Sequence, residues 1–260
     1  MNETERQFSQ EVAYNIEQMG RDRDLQTLTQ VWIKGIIPYK YAHNFSWLGR
    51  PIMQVPQDIY AMQELIWNIK PDLIIETGIA HGGSLIMSAS MLALLDYCDA
   101  AERGETLTPR ASKRRVLGLD IEIRPHNREA IEAHPMAHLI EMIEGSSVAP
   151  EVVDRVKTVA KGHKKILVSL DSNHTHDHVL AELEVYAPLT SVGSYCVVWD
   201  TGIEDLPENF CTDRPWGKGN NPRTAVYEYL KSTDRFEIDK TIEHKLLITA
   251  AVDGFLRKIK

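Results

Sequence analysis

The sequence is poor in cysteine, and its three cysteines form no recognisable pattern. Cys98, Cys196 and Cys211 are widely spaced and include no C-x-x-C pair. This spacing argues against a disulfide framework and favours a reducing compartment. The N-terminus is charged and leads into no apolar stretch, so no secretory signal is visible. These features predict a cytoplasmic protein.

Long apolar runs and an excess of positive charge are also missing. The longest apolar run, residues 85–95, contains Ser88 and Ser90 and is shorter than the roughly 20 residues of a membrane-spanning helix. Acidic residues outnumber basic ones by 37 to 29, which gives a net charge of −8 and no general attraction for phosphate backbones or anionic membranes. We therefore expect neither a transmembrane segment nor a nucleic-acid partner.

Strand-like and helical segments alternate through most of the chain. Four short apolar segments each end in an acidic residue, at positions 73–76, 115–120, 165–171 and 195–200. Helical patterns separate them, at 83–100, 127–133, 150–160 and 176–186, and a further strand is expected at 138–143. This repetition predicts an α/β fold with a doubly wound, Rossmann-like parallel sheet.

Different patterns flank this alternating region. Residues 1–70 combine a polar helical start, an aromatic segment between prolines and a helix that Pro71 ends, and we interpret them as an N-terminal helical and aromatic cover. Residues 71–260 then form the ligand-binding domain. Near its end, a helix is expected at 223–231, followed by a C-terminal antiparallel pair of strands at 236–239 and 245–250 with a short polar link between them.

A glycine-containing turn follows the first predicted strand. Its notable residues are Glu76, Gly78, His81, Gly82 and Ser84. Glycines allow the backbone to approach a ligand, and a helix N-terminus offers free N–H groups. The spacing differs from the G-x-G-x-x-G of dinucleotide sites, so a nicotinamide or flavin cofactor is disfavoured. Glu76 has a structural alternative, as a carboxylate that caps the turn.

The next two strand ends suggest a nucleoside. Asp120 is placed to accept hydrogen bonds from ribose hydroxyl groups at the carboxyl edge of the sheet. Ser146 and Ser147 follow the next strand, where they would flank an adenine. A ribose-binding acid beside a glycine turn without phosphate spacing suits S-adenosylmethionine, a nucleoside without a diphosphate.

Longer motifs resemble one protein family. They comprise Glu76-Thr77-Gly78 with the following His-Gly-Gly-Ser, Trp47-Leu48-Gly49, and the runs at 170–179 and 214–222. From about Trp47 to the end, the chain resembles the cephalosporin hydroxylase / rhamnosyl O-methyltransferase family. The resemblance implies a class I S-adenosylmethionine-dependent methyltransferase with a bound divalent cation. Such enzymes act on hydroxyl groups of sugars or antibiotic precursors, and the family suggests a homo-oligomer.

The resemblance also implies roles for individual residues. Asp171 corresponds to a metal-binding aspartate beside the cofactor, and His174 to the catalytic base. Asp200 corresponds to a second metal carboxylate, but Trp199 stands where the related enzymes have a glutamate. Thr201, Glu204, Asp205 or water are therefore candidates to complete the coordination sphere. The loop that contains Arg214, Trp216, Asn220 and Asn221 is expected to cover the substrate.

The chemistry agrees with these roles. A sugar hydroxyl is a poor nucleophile because its proton is lost only at very high pH, so O-methylation needs a base and usually an electrophile. Mg²⁺ held by carboxylates and water would supply the electrophile. The predicted function is therefore an O-methyltransferase for a small-molecule or glycan acceptor.

Three other hypotheses remain. A non-catalytic accessory protein in a biosynthetic complex is kept open by Trp199. An iron-dependent hydroxylase would need two histidines and a carboxylate, which Asp171 and Asp200 do not provide. A zinc site at His174, His176 and His178 is disfavoured, because alternate spacing is unlike the usual zinc patterns.

Overall fold

The N-terminal region combines helices with a small hairpin. The computed structural model of the protein describes residues 2–208 and 210–260. The first helices and strands are α1 (Glu3–Arg21), α2 (Arg23–Ile36), β1 (Phe45–Trp47), β2 (Arg50–Ile52) and α3 (Pro56–Ile69). Asn2 caps α1 by accepting a hydrogen bond from the Glu5 amide, and Asp22 caps α2. The antiparallel β1–β2 hairpin was not anticipated within the predicted cover.

A seven-stranded sheet forms the centre of the remaining chain. Its strands are β3 (Leu73–Thr77), β4 (Arg115–Asp120), β5 (Ile140–Glu144), β6 (Ile166–Leu170), β7 (Tyr195–Val198), β8 (Phe236–Ile238) and β9 (Phe255–Lys258). The strand order is β5-β4-β3-β6-β7-β9-β8, with the first five strands parallel and β9 antiparallel to both neighbours. The predicted doubly wound α/β fold is therefore confirmed.

Helices cover both faces of this sheet. They are α4 (Gly83–Arg103), α5 (Pro125–Glu132), α6 (Pro150–Ala160), α7 (His176–Tyr186), α8 (Pro222–Ser232) and α9 (Lys240–Leu246). Successive side chains of a strand point to opposite faces. Accordingly, Ile74 packs in the core that contains α3 and α4, whereas Leu73 and Ile75 pack in the core that contains α6, α7 and α8.

Helix α4 is long and apolar enough to cross a membrane by length and composition. More than half of it is nevertheless buried inside the fold. Leu85, Ile86 and Leu92 are fully buried, so α4 is a core helix that packs against the sheet.

The predicted strand at 245–250 is wrong. Residues 240–246 form α9, and the strand that pairs with β8 is β9 at Phe255–Lys258. The side chain of Asp239 caps α9 by accepting from the Thr241 amide, and Ile242 anchors the helix in the core. The apolar residues of the predicted strand are therefore divided between the last turn of α9, with Leu246, and the loop after it, with Leu247 and Ile248. The expected polar link between the two strands is replaced by that helix and the loop after it.

The strand order of the sheet reverses between β3 and β6. Strands β4 and β5 extend the sheet on one side of β3, and β6 begins the other side. Ligands of open α/β sheets bind at the carboxyl ends of the strands at such a switch point. Thr77 and Leu170 are paired at this edge, and the residues that follow them form the candidate site.

Candidate functional site

The glycine turn after β3 lies against the end of β6. Gly78 has a φ of +91°, and a Cβ at this position would lie 2.0 Å from the backbone oxygen of Asp171. The Asp171 amide donates to the Thr77 carbonyl at 2.9 Å. Only glycine fits this conformation and this close approach, so Gly78 allows the two strand ends to meet.

Arg50 and Asn127 hold the glycine turn from outside. The Arg50 guanidinium donates to the carbonyl oxygen of His81 at 3.0 and 2.7 Å, and to Asn127 Oδ1 at 3.0 Å. Asn127 Nδ2 donates in turn to the Ala80 carbonyl at 2.9 Å. Neither residue was predicted from the sequence, because they come from β2 and α5 and no local pattern links them to the turn.

Asp120 contacts the same turn from the end of β4. Its Oδ2 accepts hydrogen bonds from the amides of Ile79 at 2.8 Å and Ala80 at 3.2 Å. Its Oδ1 accepts from the Glu122 amide at 3.2 Å. The carboxylate is only partly buried, so it can accept further hydrogen bonds. Asp120 thus orders the turn, and its role as a ribose ligand stays a prediction.

Ser146 and Ser147 lie in the loop after β5. The Ser146 carbonyl accepts from a backbone amide of the same loop. Ser147 Oγ lies 3.1 Å from Nε2 of His178, which is also 3.3 Å from Ser172 Oγ. Ser172 donates to the buried Glu182 carboxylate at 2.7 Å. The predicted adenine neighbour Ser147 is therefore linked to the turn after β6.

Buried carboxyl groups lie beneath this turn. Glu76 is 3% exposed and accepts a hydrogen bond from the Ser84 hydroxyl, while Asp58 of α3 is fully buried and accepts from the Ala250 amide at 2.9 Å. Burial raises the pKa of each to about 7. Both side chains line one small cavity with Asp171. The Ser84 contact joins Glu76 to the first turn of α4, and both the capping role and the cofactor role of Glu76 stay predictions.

Asp171, His174 and Asp200 form a compact polar group. One ligand atom from each lies within 4.8 Å of the others, as a metal site requires. Nε2 of His174 is 3.2 Å from Oδ2 of Asp200. Burial and then the neighbouring Asp200 raise the pKa of the Asp171 carboxyl well above its ordinary value. The ends of β6 and β7 therefore bring together two carboxyl groups and one imidazole.

Thr201 follows Asp200 and contacts the loop after α9. Its side chain is fully buried, and its hydroxyl donates to the Ala250 carbonyl at 3.3 Å. Asp200, the residue before Thr201, is also a predicted metal ligand. Its φ is 56°, and a short 3₁₀ helix begins directly after it. The hydroxyl of Thr201 therefore attaches that helix to the backbone at Ala250.

Trp199 is a core residue. It is 3% exposed, its indole N–H donates to Ser169 Oγ at 2.8 Å, and its ring makes an edge contact with Phe255 at 6.1 Å. The indole also lines the small cavity next to Asp58 and Asp171. The position where the resemblance implies a glutamate is therefore filled by a buried indole ring.

The three histidines of the 174–178 run contact different partners. His174 faces Asp200, whereas His176 lies 2.8 Å from Thr224 Oγ1 and 3.3 Å from Glu228. His178 contacts the serines and the glutamate described above. The three imidazoles thus lie in three different environments and have no side-chain partner in common.

The predicted substrate loop contacts the site mainly through Trp216. The Trp216 ring meets the His174 imidazole edge-on at 4.8 Å, and the Arg214 guanidinium lies 5.5 Å from the centre of the Trp216 ring. Asn220 accepts from the His176 amide at 2.9 Å, and the buried Asn221 caps α8. The side chains of Asn220 and Asn221 therefore bond to backbone groups of the protein and hold the loop in place.

Replacement of Trp199 is expected to test its role in packing. Trp199→Phe should lower the free energy of unfolding by about 1–3 kcal/mol, because it removes the hydrogen bond to Ser169 and part of the ring volume. Trp199→Glu should cost more, since it buries another carboxyl group beside Asp58 and Asp171. Urea denaturation measures both. Equal or higher stability of Trp199→Glu would contradict the assignment of this position to the core.

The buried carboxyl groups predict that stability depends on pH. Asp58 has a pKa of about 7 in the fold against an ordinary value of 3.8, so its contribution is fully favourable below about pH 4 and is lost as the pH rises to about 7. In the presence of chelator, Asp58→Asn should therefore be more stable than the parent by about 2 kcal/mol at pH 8. The difference should vanish near pH 4.

Urea denaturation at pH 4 and pH 8 measures this effect. Asp154→Asn is a matched control because Asp154 is exposed on α6. A stability difference between Asp58→Asn and the parent that is the same at both pH values would contradict the assignment.

Residues 39–259 match the family model described as Rhamnosyl O-methyltransferase/CmcI. The Rhamnosyl O-methyltransferase of Mycobacterium leprae (strain TN) is 27% identical over 212 residues, which cover 81% of this chain and 82% of the relative. The protein of the same name from Mycobacterium tuberculosis (strain ATCC 25618 / H37Rv) is 28% identical over 224 residues, with coverages of 83% and 81%.

Solved structures with the same fold include two of CmcI. The apo structure superimposes with a TM-score of 0.55 at 15% identity and covers 84% of this chain and 77% of its own. A structure of CmcI with Mg and SAM gives a TM-score of 0.51 at 16% identity and covers 84% and 78%. At these identities, the likeness concerns the fold.

Proposed function

The chain belongs to the Rhamnosyl O-methyltransferase/CmcI family and is an S-adenosylmethionine-dependent O-methyltransferase, and we propose that it methylates a hydroxyl group of a rhamnose-like sugar with the help of a divalent cation. One observation carries the proposal. The Asp171, His174 and Asp200 side chains converge beside the glycine turn, at the carboxyl edge of the sheet. There, a base and two carboxylates face the region where a cofactor would bind.

The residues present fit a divalent cation. Two carboxylates with open positions for water are typical of Mg²⁺ sites. In this protein the carboxyl groups of Asp58, Glu76 and Glu182 add to the electrostatic repulsion on Asp171, and a cation between Asp171 and Asp200 would offset that repulsion. We assign these two residues as metal ligands and leave Thr201 out, because its hydroxyl is bonded to Ala250. When bound, the cation would act as an electrophile that lowers the pKa of the acceptor hydroxyl.

His174 is the proposed base. Its imidazole lies 3.2 Å from Asp200 and is packed edge-on against Trp216, so its orientation is fixed by two neighbours. In this role His174 would accept the proton of the sugar hydroxyl. S-adenosylmethionine, when bound, would supply the methyl group and leave as S-adenosylhomocysteine. Trp216 and Arg214 cover the reacting groups and exclude water.

Asp120 is the proposed ribose ligand. Asp120→Ala should weaken S-adenosylmethionine binding by roughly 10- to 100-fold, since hydrogen bonds to a charged group contribute about 1.5–3 kcal/mol. Calorimetry measures the dissociation constant. Glu122→Ala is the control, because its exposed side chain lies two residues away. Unchanged affinity in a folded Asp120→Ala protein would show that the ribose binds elsewhere.

A methyl-transfer assay tests the proposed acceptor. Incubation with S-adenosylmethionine, Mg²⁺ and a rhamnoside should yield a product heavier by one methylene group, and mass spectrometry detects it. Cofactor binding without methyl transfer to any glycoside would favour the accessory hypothesis that Trp199 kept open. The cytoplasmic location and the homo-oligomer stay predictions.

A further inference from the structure

One oxygen of the buried Asp58 carboxyl group lacks a hydrogen-bond donor. Asp58 lines the small cavity beneath the glycine turn together with Asp171. Its Oδ2 accepts from the Ala250 amide at 2.9 Å, and the side chain of Thr249 also donates to the carboxyl group. Its Oδ1 is buried and has no partner among the described residues. A buried acceptor without a donor is costly, so Asp58 Oδ1 calls for a donor from outside the chain.

The cavity has room for a single water molecule. The space open to the centre of a water is about 10 Å³, which is close to the minimum for one bound water. Such a water needs several polar partners. The cavity wall offers Asp58 Oδ1, the Asp171 carboxyl group and the hydroxyl of Ser88, which also has no partner in the described part of the chain. One water can therefore link Asp58 to the Asp171 side of the cavity.

Asp58 is also coupled electrostatically to the two proposed metal ligands. Burial raises the pKa of Asp58, and the charge of Asp200 adds to the increase. Burial likewise raises the pKa of Asp171, and Asp58 is among the carboxyl groups that add to that increase. A cation between Asp171 and Asp200 would therefore attract the Asp58 carboxylate as well.

The geometry favours a contact through water over a direct bond to the cation. The ligand atoms of Asp171, His174 and Asp200 lie within 4.8 Å of one another, and Asp58 does not belong to this group. Mg²⁺ usually keeps several water ligands, and groups of the outer shell accept hydrogen bonds from the inner one. A buried carboxylate oxygen with a free acceptor position is suited to that role.

We propose that Asp58 is a positioning residue of the metal site, and that its Oδ1 accepts a hydrogen bond from a water bound to the divalent cation between Asp171 and Asp200. This inference rests on the proposed function, because it takes the cation to bind there. It adds a third carboxyl group, which α3 supplies, and so gives the N-terminal region a part in metal binding.

The affinity for Mn²⁺ tests the proposal without any acceptor. Paramagnetic resonance measures free Mn²⁺ at pH 8 in the presence of the full chain. Asp58→Asn should weaken Mn²⁺ binding by about 10- to 100-fold, the usual effect of losing an outer-shell partner. Met62→Leu is the matched control, because Met62 is also on α3 and lines the same cavity but carries no charge. It should change the affinity less than twofold, and an unchanged affinity of Asp58→Asn would overturn the proposal.

Stability measurements distinguish this role from a purely structural one. Asp58→Asn is expected to be more stable than the parent at pH 8 in chelator, since it removes the cost of ionising a buried carboxyl group. Weaker Mn²⁺ binding by this more stable variant would therefore not result from a damaged fold. A role of Asp58 in folding alone would leave the Mn²⁺ affinity at the parental value.

A crystal structure of the parent protein with Mn²⁺ tests the water itself and serves equally if the variant fails to fold. The expected result is one water in contact with both Mn²⁺ and Asp58 Oδ1. A direct bond between Asp58 and Mn²⁺, or an Oδ1 without a water, would contradict the assignment.

The Mn²⁺ titration also separates failure of this inference from failure of the proposed function. Equal Mn²⁺ affinities of the parent and Asp58→Asn would refute the role of Asp58 and leave Asp171 and Asp200 as the metal ligands. A parent protein that binds no Mn²⁺ would refute the metal assignment of the proposed function, and this inference with it.

Discussion

Replacing Asp171 with asparagine is expected to lower kcat by about 10³-fold or more and to abolish the response to added Mg²⁺. The asparagine keeps the shape of the side chain but removes one of the two carboxyl groups. In the parent, the ligand atoms of these two groups and of His174 lie within 4.8 Å of one another. A loss of about 4 kcal/mol of transition-state stabilisation corresponds to this decrease. Asp200→Asn should have the same effect, because the second carboxylate belongs to the same proposed site.

Activity at increasing Mg²⁺ concentration, with and without chelator, measures the effect. Chelator should inactivate the parent reversibly. Asp177→Asn is the matched control, because Asp177 is exposed in the first turn of α7 only six residues after Asp171. Full parental activity in excess chelator would show that this enzyme, with Trp199 at the position of the expected glutamate, does not require the metal.

Four strands of the central sheet, β3, β4, β6 and β7, were predictable because they are buried on both faces. Each appeared in the sequence as a short apolar run closed by an acid, such as Leu73–Thr77 with its Glu76 and Arg115–Asp120. Periodicity was less informative at the C-terminus. Leu246 packs against the core from the end of α9, and Ile248 lines a second cavity, which Asp200 also lines. A short apolar run does not distinguish these environments from a strand.

The candidate site could be predicted only in part, because some of its contacts join residues that are distant in sequence. Asp171, His174 and Asp200 were identified through family resemblance, and the parallel order of β6 and β7 brings them together. Arg50 reaches the glycine turn across 31 positions in sequence and Asn127 across 47. Such long-range hydrogen bonds leave no local signal. Asn221 was expected near the substrate, but its side chain caps α8.

His174→Ala is expected to lower kcat by about 10²–10⁴-fold, the usual range for a lost general base. The affinity for S-adenosylmethionine should stay unchanged, since the imidazole contacts Asp200 and Trp216 and none of the residues assigned to the ribose or adenine. Added imidazole should restore part of the rate by accepting the proton in place of the missing side chain. His176→Ala is the matched control, because that imidazole faces Thr224 and Glu228.

The same variant distinguishes a base from a metal ligand. Nε2 of His174 lies close enough to Asp200 to belong to the same group of ligand atoms, so geometry alone permits either role. A base can be removed without changing the affinity of the two carboxylates for Mn²⁺, whereas loss of a ligand should weaken Mn²⁺ binding by at least about tenfold. Paramagnetic resonance measures free Mn²⁺ directly and needs no acceptor. Unchanged Mn²⁺ affinity together with rescue by imidazole would establish proton transfer as the role of His174, and weakened binding without rescue would assign it to the metal.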